Sequence, residues 1–150
     1  KTIISKNTTD FEGWVWPVTG GVVTQGYGHT HFAARSKYYK GDFHGGVDIG
    51  APKGSNVLAA KDGVITISKT GYNGGYGNYV EIQHNDGTYT RYGHNTTNLV
   101  KLGQKVVAGQ VIATVGRTGR ATGNHVHFEI RDSNGNHLES NPFYVTYKNY

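Results

Sequence analysis

Three short stretches of this chain carry residue types that could do chemistry together. In His125-Val126-His127 the surrounding window, residues 124–130, alternates. Val126, Phe128 and Ile130 fall on one face, and His125, His127 and Glu129 on the other. In a strand, residues i and i+2 share a side, so two imidazoles project together from a strand whose other face is anchored in a core. His44 and Asp48 bracket Gly45-Gly46-Val47. The two glycines and the Val47-Asp48-Ile49 run oppose a helix and predict a turn feeding a strand, with the glycines letting the backbone fold the two side chains together. Two histidines and one carboxylate suit Zn²⁺ with a fourth position left open, the arrangement of a catalytic rather than a structural site. His94 ends Tyr92-Gly93-His94, shares strand parity with Tyr92, and supplies a further imidazole that need not touch the metal. The chain has no cysteine, so no thiolate metal site and no disulfide framework can form.

The elements that must position these residues read as strands. The 150 residues include 23 glycines, 11 tyrosines and only 3 prolines. Strands are expected at 22–25, 47–49, 56–60, 63–68, 79–84, 88–94, 105–106, 110–115 and 124–131. Asn85-Asp86-Gly87 is a hairpin turn between two of them. The one helical turn expected lies around 96–99. Residues 26–43 lack alternation and predict a long loop of the kind that carries function. Residues 52–60 and 101–109 form a weak internal repeat, each with a glycine, two polar residues, a valine, one further residue and an alanine. The expected fold is all-β: two packed antiparallel sheets, a barrel-sandwich built from duplicated hairpin units packed face to face, with long loops around a central groove.

Residues 1–13 are polar and aperiodic and read as a tail or linker, leaving 14–150 as one domain. Trp14 and Trp16 begin it, as core or edge packing in preference to a ligand contact. The net charge of +5 suits an anionic partner or simple solubility. The basic residues are scattered, which argues against a nucleic-acid groove. No apolar run is long enough to span a membrane, and the first residues do not read as a signal peptide, so a mature form or a fragment of a longer chain is expected.

Taken together, His44-Gly45-Gly46-Val47-Asp48-Ile49, Tyr92-Gly93-His94 and His125-Val126-His127-Phe128-Glu129 resemble the lysostaphin-type zinc endopeptidases. Residues 75–80, 100–110 and 119–124 share the resemblance, although many members carry proline where Asn124 stands. It implies His44, Asp48 and His127 as zinc ligands. It implies His125 as general base and His94 as the second catalytic histidine, stabilising the transition state as a protonated group or from a neutral tautomer. It further implies a monomeric, secreted or virion-associated protein of the bacterial cell wall, acting on peptidoglycan cross-links or stem peptides, with loops near 27–43, 68–77 and 131–141 walling the cleft. Tyr76, Asn78 and Tyr92 are candidates to line that groove; sheet packing is the other reading of each. Glu129 either fixes an imidazole from behind or points to solvent. His29 and His31 belong to an exposed loop, and His84 and His137 are expected to be solvated. Two other classes compete. A carrier or wall-binding module on similar hairpins would present Lys61 in its turn, but the usual flanking methionine is missing. A cupin would need a later glutamate than Glu129 and a better-placed histidine than His137.

Overall fold

The structure, a computed structural model, describes residues 9–10, 14–26, 28–29 and 43–138. Its strands are β1 (Thr9–Asp10), β2 (Trp14–Val15), β3 (Val22–Gln25), β4 (Gly28–His29), β5 (Phe43–His44), β6 (Val47–Gly50), β7 (Asn56–Leu58) and β8 (Gly63–Lys69). They continue as β9 (Asn78–Gln83), β10 (Tyr89–Asn95), β11 (Thr97–Asn98), β12 (Lys105–Val106), β13 (Val111–Thr114), β14 (His125–Arg131) and β15 (His137–Leu138). The large antiparallel sheet runs β12-β8-β9-β10-β14-β6-β3, with β15 added beside β14. A smaller sheet runs β11-β13-β7. The all-β, two-sheet expectation holds.

Alternation decides which face of the large sheet is buried. Val47 and Ile49 from β6, Val126, Phe128 and Ile130 from β14, Tyr92 from β10 and Ile82 from β9 join one core with Val57, Ile112 and Ala113 of the small sheet. Trp16 is wholly buried there and its indole N–H donates to Gly20 O at 2.8 Å, which settles it as packing.

The two units of the internal repeat exchange strands and bury their apolar side chains in one core. Gly54 and Gly103 turn their hairpins at φ +90° and +88°, a conformation that favours glycine. Strand β7 of the first unit pairs with β13 of the second, and β12 of the second with β8 of the first. The hydrogen bonds repeat too. Gly54 N donates to Val115 O and Val115 N to Ser55 O, both at 2.9 Å. Gly103 N donates to Ile65 O at 2.7 Å and Ile65 N to Gln104 O at 2.8 Å.

Three expectations are corrected. The turn around 96–99 is strand β11, because Thr96 N and Leu99 N find acceptors in Thr114 O and Ile112 O across β13. The only helical turn among the described residues is a 3-10 turn at Asn73–Gly75. His84 is buried, 3% exposed, not solvated. It belongs to a buried chain of hydrogen bonds. Ala60 N donates to the Tyr92 hydroxyl at 3.0 Å, the Tyr92 and Thr90 hydroxyls bond at 2.6 Å, and Thr90 Oγ1 lies 2.9 Å from His84 Nε2. His84 Nδ1 donates to Asp62 O at 2.7 Å, so in the neutral ring the lone pair is on Nε2 and faces the Thr90 hydroxyl. Burial holds the His84 pKa below its ordinary value, against the opposing pull of the Asp62 carbonyl.

Two measurements test this chain. Tyr92→Phe strands a buried amide and is expected to cost about 1–3 kcal/mol in urea unfolding. The pH dependence follows from His84. The unfolded ring takes a proton below its ordinary value of 6.5 and the folded ring resists it, so stability is full above that value and falls as pH drops below it. Unfolding free energies compared between pH 7 and pH 5 should fall more steeply in the wild type than in His84→Gln.

Candidate active site

The face of the large sheet opposite the core carries the polar side chains. Strand β14 lies between β10 and β6, and its register sets His127 opposite Asp48 on one side and Gly93 on the other. His127 Nδ1 is 2.9 Å from Asp48 Oδ1, and His125 Nε2 is 3.6 Å from the same oxygen. The second nitrogen of His127 lies 2.7 Å from Glu129 Oε2. His127 thus sits between two carboxylates. Burial alone would lower its pKa, but the hydrogen bonds to Asp48 and Glu129 outweigh burial and hold it at about 10. The carboxyl of Glu129 is kept well below the usual range: burial opposes this, and the bond and charge of His127 and the charge of Arg131 prevail.

The glycines before Asp48 serve clearance, not flexibility; neither lies in the left-handed region. A Cβ on Gly46 would come within 2.9 Å of His127 Cε1 and 3.0 Å of Glu129 Cγ, and one on Gly45 within 2.5 Å of the His137 ring. His137 is fastened there by its Nδ1, which donates to Gly45 O at 2.8 Å.

His94 reaches the site by breaking the strand's alternation. Tyr92 pairs with Phe128 on the core side, so strict parity would bury His94 with it. Instead β10 shifts register between Tyr92 and Asn95, and His94 takes φ +66°. Such a backbone is unusual for a histidine and is held by its surroundings. His94 N donates to Tyr76 O at 2.7 Å, and His94 Nδ1 donates to Thr118 O at 2.7 Å. The ring then lies 4.6 Å from that of His125 and 6.1 Å from that of His127, between centroids. Burial first, then repulsion from His125 and His127, lowers its pKa to about 4. His125 Nδ1 likewise donates to a carbonyl, Gly123 O, at 3.0 Å. A carbonyl can only accept, so the neutral form of either ring has its proton on Nδ1 and its lone pair on Nε2.

The structure therefore brings Asp48, His94, His125 and His127 together. His44 lies on β5 and pairs with Gly28, but its side chain is outside the described residues, as are His31 and most of the 27–43 loop. Among the described residues no group of three His, Asp or Glu side chains is arranged to hold a metal ion. Asp48 and His127 present two donors facing each other across one proton, a position that a divalent cation can take with a third ligand. Tyr92 is not in the groove: it is fully buried and its hydroxyl is spent on Thr90 and Ala60. Asn78 holds backbone, donating to Asn95 O and Thr96 O at 3.1 Å and accepting from Gly71 N at 2.9 Å. Tyr76 does border the site, 6.0 Å from His127 between ring centroids, but its hydroxyl bonds Glu129. Burial and then Glu129 raise its pKa to about 12. Of the two readings of Glu129, the structure takes the one in which it fixes an imidazole. Sequence reasoning missed Thr118, for which the nearby Gly119 is the one available signal.

Residues 42–142 match peptidase family M23. The chain belongs to that family. It is 47% identical over 87 residues to ShyC, a peptidoglycan DD-endopeptidase of Vibrio cholerae, covering 58% of this chain and 20% of that protein. It is 38% identical over 124 residues to NlpD, a murein hydrolase activator of Escherichia coli, covering 83% of this chain and 29% of that protein. It therefore spans a fifth to three-tenths of the length of these curated relatives. Among solved structures it is similar to the catalytic domain of lysostaphin from Staphylococcus simulans, with TM-score 0.68 and 32% identity over 75% of this chain and 81% of that one. It is also similar to a zinc-containing peptidase from Vibrio cholerae, with TM-score 0.73 and 32% identity over 88% of this chain and 39% of that one. The expected likeness to lysostaphin is thus borne out.

Two loops clamp the histidine-bearing face of this M23 domain. Thr118 Oγ1 donates to Asn95 O at 2.8 Å and accepts from Asn78 N at 3.0 Å, while Arg120 N donates to Gly75 O at 2.9 Å. Between them Gly119, at φ +75°, passes so close that a Cβ would strike Gly77 N and Gly75 O. Gly119→Ala is expected to cost about 1–3 kcal/mol in thermal or urea unfolding through that strained backbone. It should also loosen Thr118 O from the His94 ring, read as faster exchange of the His94 Nδ1 proton.

Proposed function

We propose that this chain is a zinc-dependent endopeptidase that hydrolyses peptide bonds in bacterial peptidoglycan, in cross-links or stem peptides, with residues 14–150 as the catalytic unit and 1–13 as a tail. It works as a monomer at the cell wall, secreted or carried on a virion. The observation that carries the reading is the pair of imidazoles, His94 and His125, tied by backbone carbonyls beside the Asp48–His127 pair. A scaffold alone has no need of a histidine held at positive φ for that purpose.

Asp48, His127 and His44 would hold the zinc, which supplies Lewis acidity toward a peptide carbonyl and toward water. His125 takes the proton from the attacking water at Nε2, while Gly123 O keeps the ring aligned. His94 is neutral as it stands and its one N–H is spent on Thr118 O, so a neutral ring cannot donate to an oxyanion. It becomes a donor only after accepting a proton at Nε2, which makes it a partner for the transition state and not for the resting substrate. The hydroxyls of Tyr92 and Tyr76 and the amide of Asn78 are engaged within the protein, so they support the groove and do not read the substrate.

The likeness to NlpD gives a second reading, a non-catalytic activator of wall hydrolases. Digestion of purified peptidoglycan by the zinc-loaded chain alone, followed by mass spectrometry of the fragments, separates the two. Cleavage at peptide bonds is expected; an intact wall favours the activator. Asp48→Ala should lose zinc. His125→Ala should keep zinc and lose about 10²–10⁴-fold in hydrolysis. Full hydrolysis by His125→Ala would refute its role as base.

A further inference from the structure

The proposed chemistry leaves one buried polar network without a task. Glu129 stands two residues beyond His127 on the same face of β14 and is 3% exposed. Its Oε2 lies 2.7 Å from His127 Nε2. The Tyr76 hydroxyl lies 2.9 and 2.8 Å from its two oxygens, and Arg131 Nε donates to Oε1 at 2.9 Å. A phenol has one proton, and Glu129 takes it. The Tyr76 oxygen then accepts from Arg131 Nη2 at 2.9 Å and Arg91 Nη1 at 3.2 Å. Arg91 is held in turn by Glu81 Oε2 at 2.7 Å, and Glu81 Oε1 accepts from Thr66 at 2.8 Å. Strands β8, β9, β10 and β14 thus brace one carboxylate from behind.

Buried ion networks are a weak source of stability compared with apolar packing, because each charge must be stripped of water. This one ends on an imidazole that faces Asp48 with its other nitrogen. Resting on the zinc reading above, we propose that Glu129 is the positioning residue of the metal site: it accepts the Nε2–H of His127 and so assigns Nδ1, beside Asp48, as the nitrogen that meets the metal. A neutral imidazole has one N–H. With that hydrogen drawn to Nε2 by Glu129, the lone pair lies on Nδ1, 2.9 Å from Asp48 Oδ1. Gly46 leaves the pair room, since a side chain there would collide with both His127 and Glu129. Tyr76 and Arg131 hold the carboxylate in place, and Arg91 holds Tyr76.

The test measures zinc affinity by chelator competition on the whole chain for wild type, Glu129→Ala, Glu129→Gln and Tyr76→Phe. It adds nitrogen–proton NMR of the His127 ring in the zinc-loaded wild type. Glu129→Ala is expected to bind zinc about 10–100-fold more weakly. Glu129→Gln keeps an oxygen for Nε2–H and should recover much of the loss, and Tyr76→Phe should show a smaller weakening. The ring proton should be on Nε2 and slow to exchange. Unchanged affinity in Glu129→Ala, or a proton on Nδ1 with zinc bound, overturns the proposal while leaving the zinc reading intact. A wild type that binds no zinc overturns both. If Glu129→Ala fails to fold, the NMR measurement and Tyr76→Phe decide.

Discussion

The contact between Asp48 and His127 across β6 and β14 is the constraint on which the polar face of the large sheet depends. It exists because those residues are directly opposed in an antiparallel ladder. A slip of one residue would turn His127 into the core and Phe128 out toward the loops. Register is therefore protected from the other side of the sheet. Val126, Phe128 and Ile130 bury almost completely against Val47, Ile49 and the small sheet, and a slip would expose all three. The hydrophobic effect thus holds a polar pair in place without touching it. The same logic explains Tyr92, a groove candidate by sequence that spends its ring on Phe128, 5.4 Å away between centroids, and its hydroxyl on the buried chain to His84.

Electrostatics on the polar face follow from how little water reaches it. Four imidazoles and carboxylates within a few ångströms would largely neutralise one another's demands in bulk solvent. Here burial sharpens their differences. His94 and His127 start from the same ordinary value and are driven apart, one down to about 4 and the other up to about 10. The cause is the partner set: His94 has a neutral carbonyl and two neighbouring histidines, and His127 has two carboxylates. A proton held that tightly marks a place that attracts positive charge, for which a metal ion would compete.

Much of this was legible in the sequence because two of its signals are short-range and geometric. Alternation at 124–130 placed His125, His127 and Glu129 on one face, and the structure agrees. The repeat at 52–60 and 101–109 was legible from glycine and valine spacing, but not its manner of pairing, since which strand exchanges with which is a long-range choice. The parity argument failed at His94 because periodicity assumes an unbroken strand, and a single positive φ reverses every side chain beyond it. Thr96–Leu99 failed for the opposite reason: a stretch with no strand pattern of its own became β11 because β13 offered it acceptors. The tasks of Tyr76 and Asn78 were equally hidden, since side-chain type says what a residue can bond and not which partner arrives first.

The division between frame and chemistry has a structural basis. The duplicated hairpins exchange strands among β7, β8, β12 and β13, and none of Asp48, His94, His125 or His127 lies on those strands. The four sit on β6, β10 and β14, in the part of the large sheet beyond the repeat. Although the repeat shares one apolar core with the strands that carry the four residues, its exchange of strands is made without them. That makes the same architecture usable by proteins of different activity, as the likeness to both an endopeptidase and a hydrolase activator requires. What separates such proteins must then lie in a handful of side chains on the polar face and in the loops that aim them. In this chain those side chains are braced twice, by carbonyls of the 115–124 loop on His94 and His125 and by Glu129 on His127. Orientation fixed to that degree costs backbone strain at His94 and buried charge at Glu129, and neither cost is repaid by folding alone.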